Sequence, residues 1–246
     1  TPITSEEDIA HIATISANGD STIGKLIATA VDLVGKDGAI TIEEARSLET
    51  SLDVVEGFRF DSGYIASAFI TDEKRGVVKY ENPLLLVTDE RIEVVEEMMP
   101  VLELIAREAR PCIIIAENIE GQALAALIMN TVRGTLKIAA VKAPRYGEER
   151  RNILKDLATS IGATLIGREN NLRLKDIQLN HFGSAKTFEC SKNFTTIVGG
   201  AGNLKEVEKK IETLKTELGQ TEDLHECAKI QERITRLASG IAIIKV

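Results

Sequence analysis

The sequence predicts an α/β protein built on parallel strands, and three observations carry that expectation. Between residues 112 and 166, short β-branched runs alternate with helix-length segments, the signature of parallel strands joined by helical crossovers. Aromatic residues make up 4% of the chain and Trp is absent, so the core has to be aliphatic. Hydrophobic residues are 43% and charged residues 28% of 246, the proportions of a globular chain with room for one large domain or two modest ones.

The elements follow in order. Residues 8–17 (DIAHIATISA) fit a helix or a strand. Asn18-Gly19-Asp20 signals a turn, and Asp20 or Ser21 can cap a helix through Val34 whose stripe is Ile23, Leu26, Ile27, Ala30 and Leu33. The turn Gly35 to Gly38 ends it, AITIEE reads as a short strand, and a second strand from Ser51 to Val55 leads to Gly57. Val77 to Val87 gives strands broken at Asn82-Pro83. Pro100 is placed at a helix start, where its missing N–H costs nothing, and that helix runs to Ala109. Next come a buried strand from Cys112 to Glu117, a helix from Glu120 to Arg133 and a strand from Leu136 to Val141. A helix from Glu148 to Ser160 and a strand from Ala163 to Ile166 complete the alternation. Residues 184–198 read as a β-hairpin turning at Ser191-Lys192-Asn193. The apolar positions Leu204, Val207, Ile211, Leu214 and Leu218, continued by Ile230, Ile234 and Leu237, predict an antiparallel helical hairpin with a narrow seam and a solvated charged face. The last run, GIAIIKV from Gly240, is a strand in want of a partner. It fits either a piece of a longer polypeptide or pairing within this chain.

Charge and motifs exclude several function classes. The net charge of −8, from 30 Lys+Arg against 38 Asp+Glu, argues against nucleic-acid binding, which depends on neutralising phosphates. No apolar run approaches the roughly 20 residues needed to span a bilayer, and TPITSEEDIA is no signal peptide, so no membrane partner is expected. Three cysteines (Cys112, Cys190 and Cys227) without CxxC spacing favour a reducing compartment. Gly19 to Lys25 (GDSTIGK) has the frame of a phosphate-binding loop, and a small nucleotide-binding enzyme is the alternative reading. That loop needs Ser or Thr next, to hold Mg²⁺, and Leu26 stands there, on the apolar stripe of a capped helix. Gly199 to Gly202 lacks dinucleotide-loop spacing. His11, His181 and His225 are scattered, and His225 with Cys227 supplies too few ligands for zinc, so no metal site is expected. No nucleophile and base occur at a telling spacing, so no catalytic residue is assigned.

The informative feature is excess apolar surface on two helices. Val101, Leu102, Leu104, Ile105, Ala106 and Ala109 cover over half the circumference of the first. The stretch from Ala123 to Met129, with Val132, surrounds the second almost completely. A helix lying on a sheet needs one apolar stripe, so these helices are either buried on both sides or leave a groove for apolar segments of other chains. Met99 and Met129 would give such a groove adaptable walls.

Several long stretches, in order and in one register, resemble a known family. They are TISANGD (14–20), VGKDGAITIE (34–43), LDVVEGFRFDSGYI (52–65), IIAENIEGQALA (114–125), AAVKAP (139–144) and the closing IQERITRLASGIAIIKV. Together they are similar to the central portion of group I chaperonins, the ring chaperones of bacteria, mitochondria and chloroplasts. The resemblance implies an apical, polypeptide-binding domain at 57–240 inserted in a small split α+β intermediate domain, here 1–56 and 241–246. The equatorial ATPase domain is expected to be absent from this stretch. Gly57 and Gly240 match the family's hinges, as suits glycine's tolerance of large backbone rotations. Tyr64, Phe69, Met99, Leu102, Leu124, Ile128 and Met129 match the rim that binds non-native polypeptides and, in turn, the co-chaperonin. The implied function is that of a molecular chaperone fragment with no enzymatic activity or cofactor of its own. ATP and Mg would act only in the full-length protein, a homo-oligomer built of seven-subunit rings, whereas the fragment is expected to be monomeric. The implied compartment is the mitochondrial matrix or a bacterial-type cytoplasm. Three positions depart from the family: Ser62 replaces an arginine that bridges subunits, Ala68 a rim aromatic, and Arg145 a glycine.

Overall fold

The computed structural model of the chain describes residues 25, 27–29, 39–43, 51–238 and 240–245. The expectations for residues 8–17, for the helix through Val34 and for the Gly35 to Gly38 turn lie outside the described residues, apart from helical backbone at 25 and 27–29.

In chain order the elements are strands β1 (Ala39–Glu43), β2 (Ser51–Phe60), β3 (Val78–Glu81), β4 (Leu84–Val87) and β5 (Arg91–Ile92), then helix α1 (Val95–Glu108). Strands β6 (Cys112–Ala116) and β7 (Asn118–Ile119) precede α2 (Gly121–Val132), and β8 (Ile138–Lys142) precedes α3 (Gly147–Ile161). Strands β9 (Gly183–Ser184), β10 (Thr187–Cys190) and β11 (Thr195–Val198) lead to α4 (Leu204–Gln220), α5 (Leu224–Ala238) and β12 (Gly240–Lys245). Parallel and antiparallel pairings coexist, so the class is mixed α/β. Two compact units result, divided between Gly57 and Phe58 and between Leu237 and Ala238.

In the first unit β12 pairs in parallel with β1, Ile241 lying opposite Ala39, and antiparallel with β2, Ile241 lying opposite Val55. The apolar run at the end of the chain therefore has partners on both sides within the chain, the second of the two readings of that run. The strand expected from Ser51 to Val55 continues through Gly57 to Phe60.

The second unit is organised by a sheet of order β8-β6-β4-β9. Its three parallel strands are registered Leu84 opposite Cys112 and Cys112 opposite Ile138. All residues of β4 and β6 are buried, which explains why they read as unbroken apolar runs rather than as alternating ones. Helix α1 packs on α2 and α2 on β8, and α3 packs against β4 and β9. A separate antiparallel ladder joins β3, β10 and β11. The β10–β11 hairpin turns at Ser191-Lys192-Asn193, where the Ser191 hydroxyl accepts hydrogen bonds from the Asn193 and Phe194 amides at 3.3 and 3.2 Å.

Three expectations are corrected. Helix α1 begins at Val95, more than a turn before Pro100, so the proline lies inside it and leaves the Glu96 carbonyl without its helical donor. Full burial of Met98 in that added turn contributes roughly 1.5–3 kcal/mol. That is comparable with the roughly 3 kcal/mol an interior proline costs, and Glu96 and Glu97 add a favourable match to the helix dipole. Ala163 to Ile166 is not a strand: only Ile166 bridges, in parallel, to Thr88. The charged face of the final helices is not wholly solvated. Asp156 of α3 is completely buried, and it accepts paired hydrogen bonds from Arg233 of α5 (2.8 and 2.9 Å) and an ion pair from Lys210 of α4 (3.1 Å). Leu214, Ile230, Ile234 and Leu237 meanwhile join the main core.

Candidate functional site

The two over-apolar helices are set side by side by a short piece of sheet. Each begins just after one strand of the parallel pair β5–β7, in which Ile92 faces Ile119. The Glu120 amide donates to the Ile92 carbonyl (2.9 Å) and the Ala123 amide to the Glu93 carbonyl (3.2 Å), so the start of α2 is tied to the approach to α1. Arg91 adds an ion pair to Glu120 and holds that carboxyl below its usual range. At the far end of α2, the Thr131 hydroxyl donates to the Ile138 carbonyl of β8 at 2.9 Å. Helix α1 closes on Ala109 in the left-handed region, φ 51°, with its amide on the Ile105 carbonyl. Arg110, next in sequence, hydrogen-bonds the Asn82 carbonyl at 3.1 Å.

Burial sorts the apolar residues into a seated face and an open flank. Met98, Val101 and Ile105 of α1, and Ala123 and Leu127 of α2, are fully covered. Leu102, Leu124 and Ile128 are half-buried against the core, while Met99 and Met129 keep 46% and 50% of their surface. Helices α1 and α2 touch each other, and α1 also packs on the turn Leu174–Asp176. The excess apolar surface is thus divided: one part is core, and the remainder is an exposed apolar flank along two adjoining helices. Such a surface can bury apolar segments of another chain, and the unbranched methionines can adapt to varied shapes.

The other candidate positions are placed as follows. Phe69 is completely buried, in a single 3-10 turn (Ser67–Phe69) packed on α2 and β8, so it supports α2 and offers no surface to another chain. Its neighbour Ala68 is exposed but small. Tyr64 is half-buried, bridged to Val141, and its amide donates to the Ser191 carbonyl at 3.3 Å. That approach depends on Gly63, where a Cβ would fall 1.8 Å from the Ser191 oxygen. Ser62 accepts a hydrogen bond from the Thr195 hydroxyl on its backbone carbonyl, at 2.7 Å. Gly57 lies inside β2 and Gly240 opens β12.

Arg145 has φ 60° and reaches three carboxylates: Asp61 at 3.3 Å, Glu232 at 3.1 Å, and Glu149. It ties the end of β2, the first turn of α3 and helix α5 together. Burial pushes the thiol of Cys112 far up and that of Cys190 up to about 12, so both stay protonated and unreactive at neutral pH. Among the described residues no group of three or more His, Cys, Asp or Glu side chains is placed to hold a metal ion, and no helix is long and apolar enough to cross a membrane. Of the loop Gly19 to Lys25, only Lys25 is described.

Sequence reasoning missed Asp156 and a large polar cleft. Asp156 falls between Ile153 and Leu157 on the apolar face of α3, and a carboxylate inside such a stripe is the signal that could have found it. The cleft, about 860 Å³, is lined by Asp89, Arg150, Arg168 and Arg173 among others, with Glu97 from the first turn of α1. No protein-family model matches this chain.

Proposed function

We propose that residues 58–237 form the client-binding part of a chaperonin apical domain, which holds non-native polypeptides on the flank formed by α1 and α2. One observation carries the reading: Met99, Leu102, Leu124, Ile128 and Met129 leave apolar surface uncovered on adjoining helices whose inner positions, Met98, Val101, Ile105, Ala123 and Leu127, are fully buried. The motifs that resemble group I chaperonins support it independently, because five of their seven rim positions, all but Tyr64 and Phe69, fall on these same two helices. The mechanism is apolar capture. An unfolded segment buries side chains against the flank, each worth roughly 1.5–3 kcal/mol, and the methionines adjust to whatever sequence arrives. A co-chaperonin segment using the same surface would displace the client by competition. In the full-length protein this step would be driven by ATP and Mg²⁺ elsewhere in a homo-oligomeric ring, in a mitochondrial matrix or bacterial-type cytoplasm. The chain itself acts as a binding module, with Gly57 and Gly240 as hinges and no catalytic residue.

Met99→Ser and Met129→Ser test this against Leu127→Ser as a core control. The two methionine changes should leave stability within about 0.5 kcal/mol, because both side chains are half in solvent. Each should nevertheless weaken capture of a urea-unfolded client by about tenfold, the equivalent of roughly 1.4 kcal/mol. Leu127→Ser should lower stability by about 2–5 kcal/mol. Undiminished capture by the double methionine variant would overturn the reading.

A further inference from the structure

The polar cleft lies where the order of the strands reverses. From β4 the chain moves through α1 to β6 and through α2 to β8, always in one direction across the sheet. Helix α3 then returns it to the opposite side of β4. There the Ile166 amide donates to the Val87 carbonyl (3.0 Å), and the Ile166 carbonyl accepts from the Asp89 amide (3.3 Å) and the buried Thr88 hydroxyl (2.8 Å). The connections after β4 and after Ile166 thus leave from neighbouring carboxyl ends at the point where the strand order turns back, the place at which open α/β sheets leave a crevice suited to ligands. The 860 Å³ cleft opens at this point, with Asp89 and Glu90 following β4, Gly167 and Arg168 following Ile166, and Gly147 at the start of α3. Gly167 lets the two connections meet, since a Cβ there would fall 2.2 Å from Asp89 Oδ1.

Among the described charges that line the cleft, Arg150 and Glu117 form an ion pair and most of the other cations are left without one. Six cationic side chains line it against four carboxylates, in a chain whose net charge is −8. Arg91 is engaged by Glu93 and Glu120, and Arg150 by the Pro144 and Arg145 carbonyls with Glu117 at 3.6 Å. The side chains of Arg151, Arg168, Arg173 and Lys175 make no hydrogen bond or ion pair among the described residues. Burial raises the Asp89 and Glu90 carboxyls, partly offset by Arg151 and Arg168 at the first and by Arg173 at the second.

We propose that this crevice binds a small phosphorylated polyol, with Arg168 and Arg173 on the phosphate and Asp89 and Glu90 accepting hydrogen bonds from its hydroxyls. Guanidinium forks suit phosphate oxygens, and the volume is that of a small-molecule site. The carboxylates would repel a bare polyanion, so the rest of the ligand carries donors.

The test is an amide NMR titration of the whole chain with ribose 5-phosphate, inorganic phosphate and ribose. Ribose 5-phosphate should give saturable shifts confined to Asp89, Glu90, Gly147 and the segment Gly167–Lys175, at about millimolar concentration, and should bind more tightly than either of the other two. Arg168→Gln with Arg173→Gln should weaken it about tenfold or more, with an otherwise unchanged spectrum, since both side chains are exposed. Asp89→Asn should remove its advantage over inorganic phosphate. Unsaturated or scattered shifts in the wild-type titration would overturn the proposal, as would equal affinity for ribose 5-phosphate and inorganic phosphate, or a double variant that binds as the wild type does.

Discussion

Arg145 occupies a backbone conformation that costs a side-chain-bearing residue about 1 kcal/mol, and it is held there by three carboxylates. Two substitutions separate the terms. Arg145→Ala keeps the left-handed backbone and loses the ion pairs, so it should destabilise by about 1–2 kcal/mol in urea unfolding. Arg145→Gly loses the same pairs but relieves the backbone, and should fall within about 1 kcal/mol of the original. If the alanine variant proved the more stable of the two, the strain argument would fail. Asp89 makes a second case at this scale. Burial, aided by Glu169, raises its carboxyl above the usual range, while its own backbone hydrogen bond and Arg151 and Arg168 work against the rise. A carboxyl raised by folding favours the folded state at acid pH, and that contribution is lost as pH climbs through the raised value. Asp89→Asn should therefore be slightly more stable than the original at neutral pH, with the gain fading towards pH 4. A urea midpoint lowered by Asp89→Asn at neutral pH would contradict the assignment.

Among the elements, Asp156 decides how α4 and α5 sit on α3. Its carboxylate is fully enclosed, whereas Lys210 and Arg233 retain 23% and 15% of their side-chain surface. Asp156→Asn should cost about 3 kcal/mol, because it leaves two largely covered cations without their counter-charge. The loss should appear as faster amide exchange in α4 and α5 before the sheet is affected. A change under about 0.5 kcal/mol would mean that the apolar seam alone seats these helices.

Elements were legible where one physical term dominates. The strands β4, β6 and β8 stand out because burial on both faces demands unbroken aliphatic runs, and the β10–β11 turn because Ser191 and Asn193 favour it. The start of α1 was not legible, since Pro100 satisfies the local rule for a first turn while the burial of Met98 is a tertiary fact. Ala163 to Ile166 carries strand-like residues, yet β4 has only its last positions free on that side, because Leu84 and Leu85 are already paired with β9.

For the molecule as a whole, the sequence indicated which helices carry surplus apolar surface but not how that surplus is divided. Helical spacing alone shows that α2 is apolar nearly all round. Only packing shows that Ala123 and Leu127 are core, that Phe69 is buried in a turn packed on α2 and β8, and that Met99 and Met129 remain in solvent. The polar cleft escaped sequence reading because its charges come from segments that meet only when α3 returns the chain to β4.

The chain contains three methionines, and the structure places them on opposite sides of the central claim: Met98 is fully buried, and Met99 and Met129 are exposed. Methyl-labelled methionine therefore reports client capture with an internal control. On titration with a urea-unfolded client, the Met99 and Met129 methyl resonances should shift and broaden while Met98 stays in place, and the same client in its native state should leave all three unchanged. Contradiction would come from Met99 and Met129 remaining unperturbed at saturating unfolded client, or from native and unfolded client acting alike.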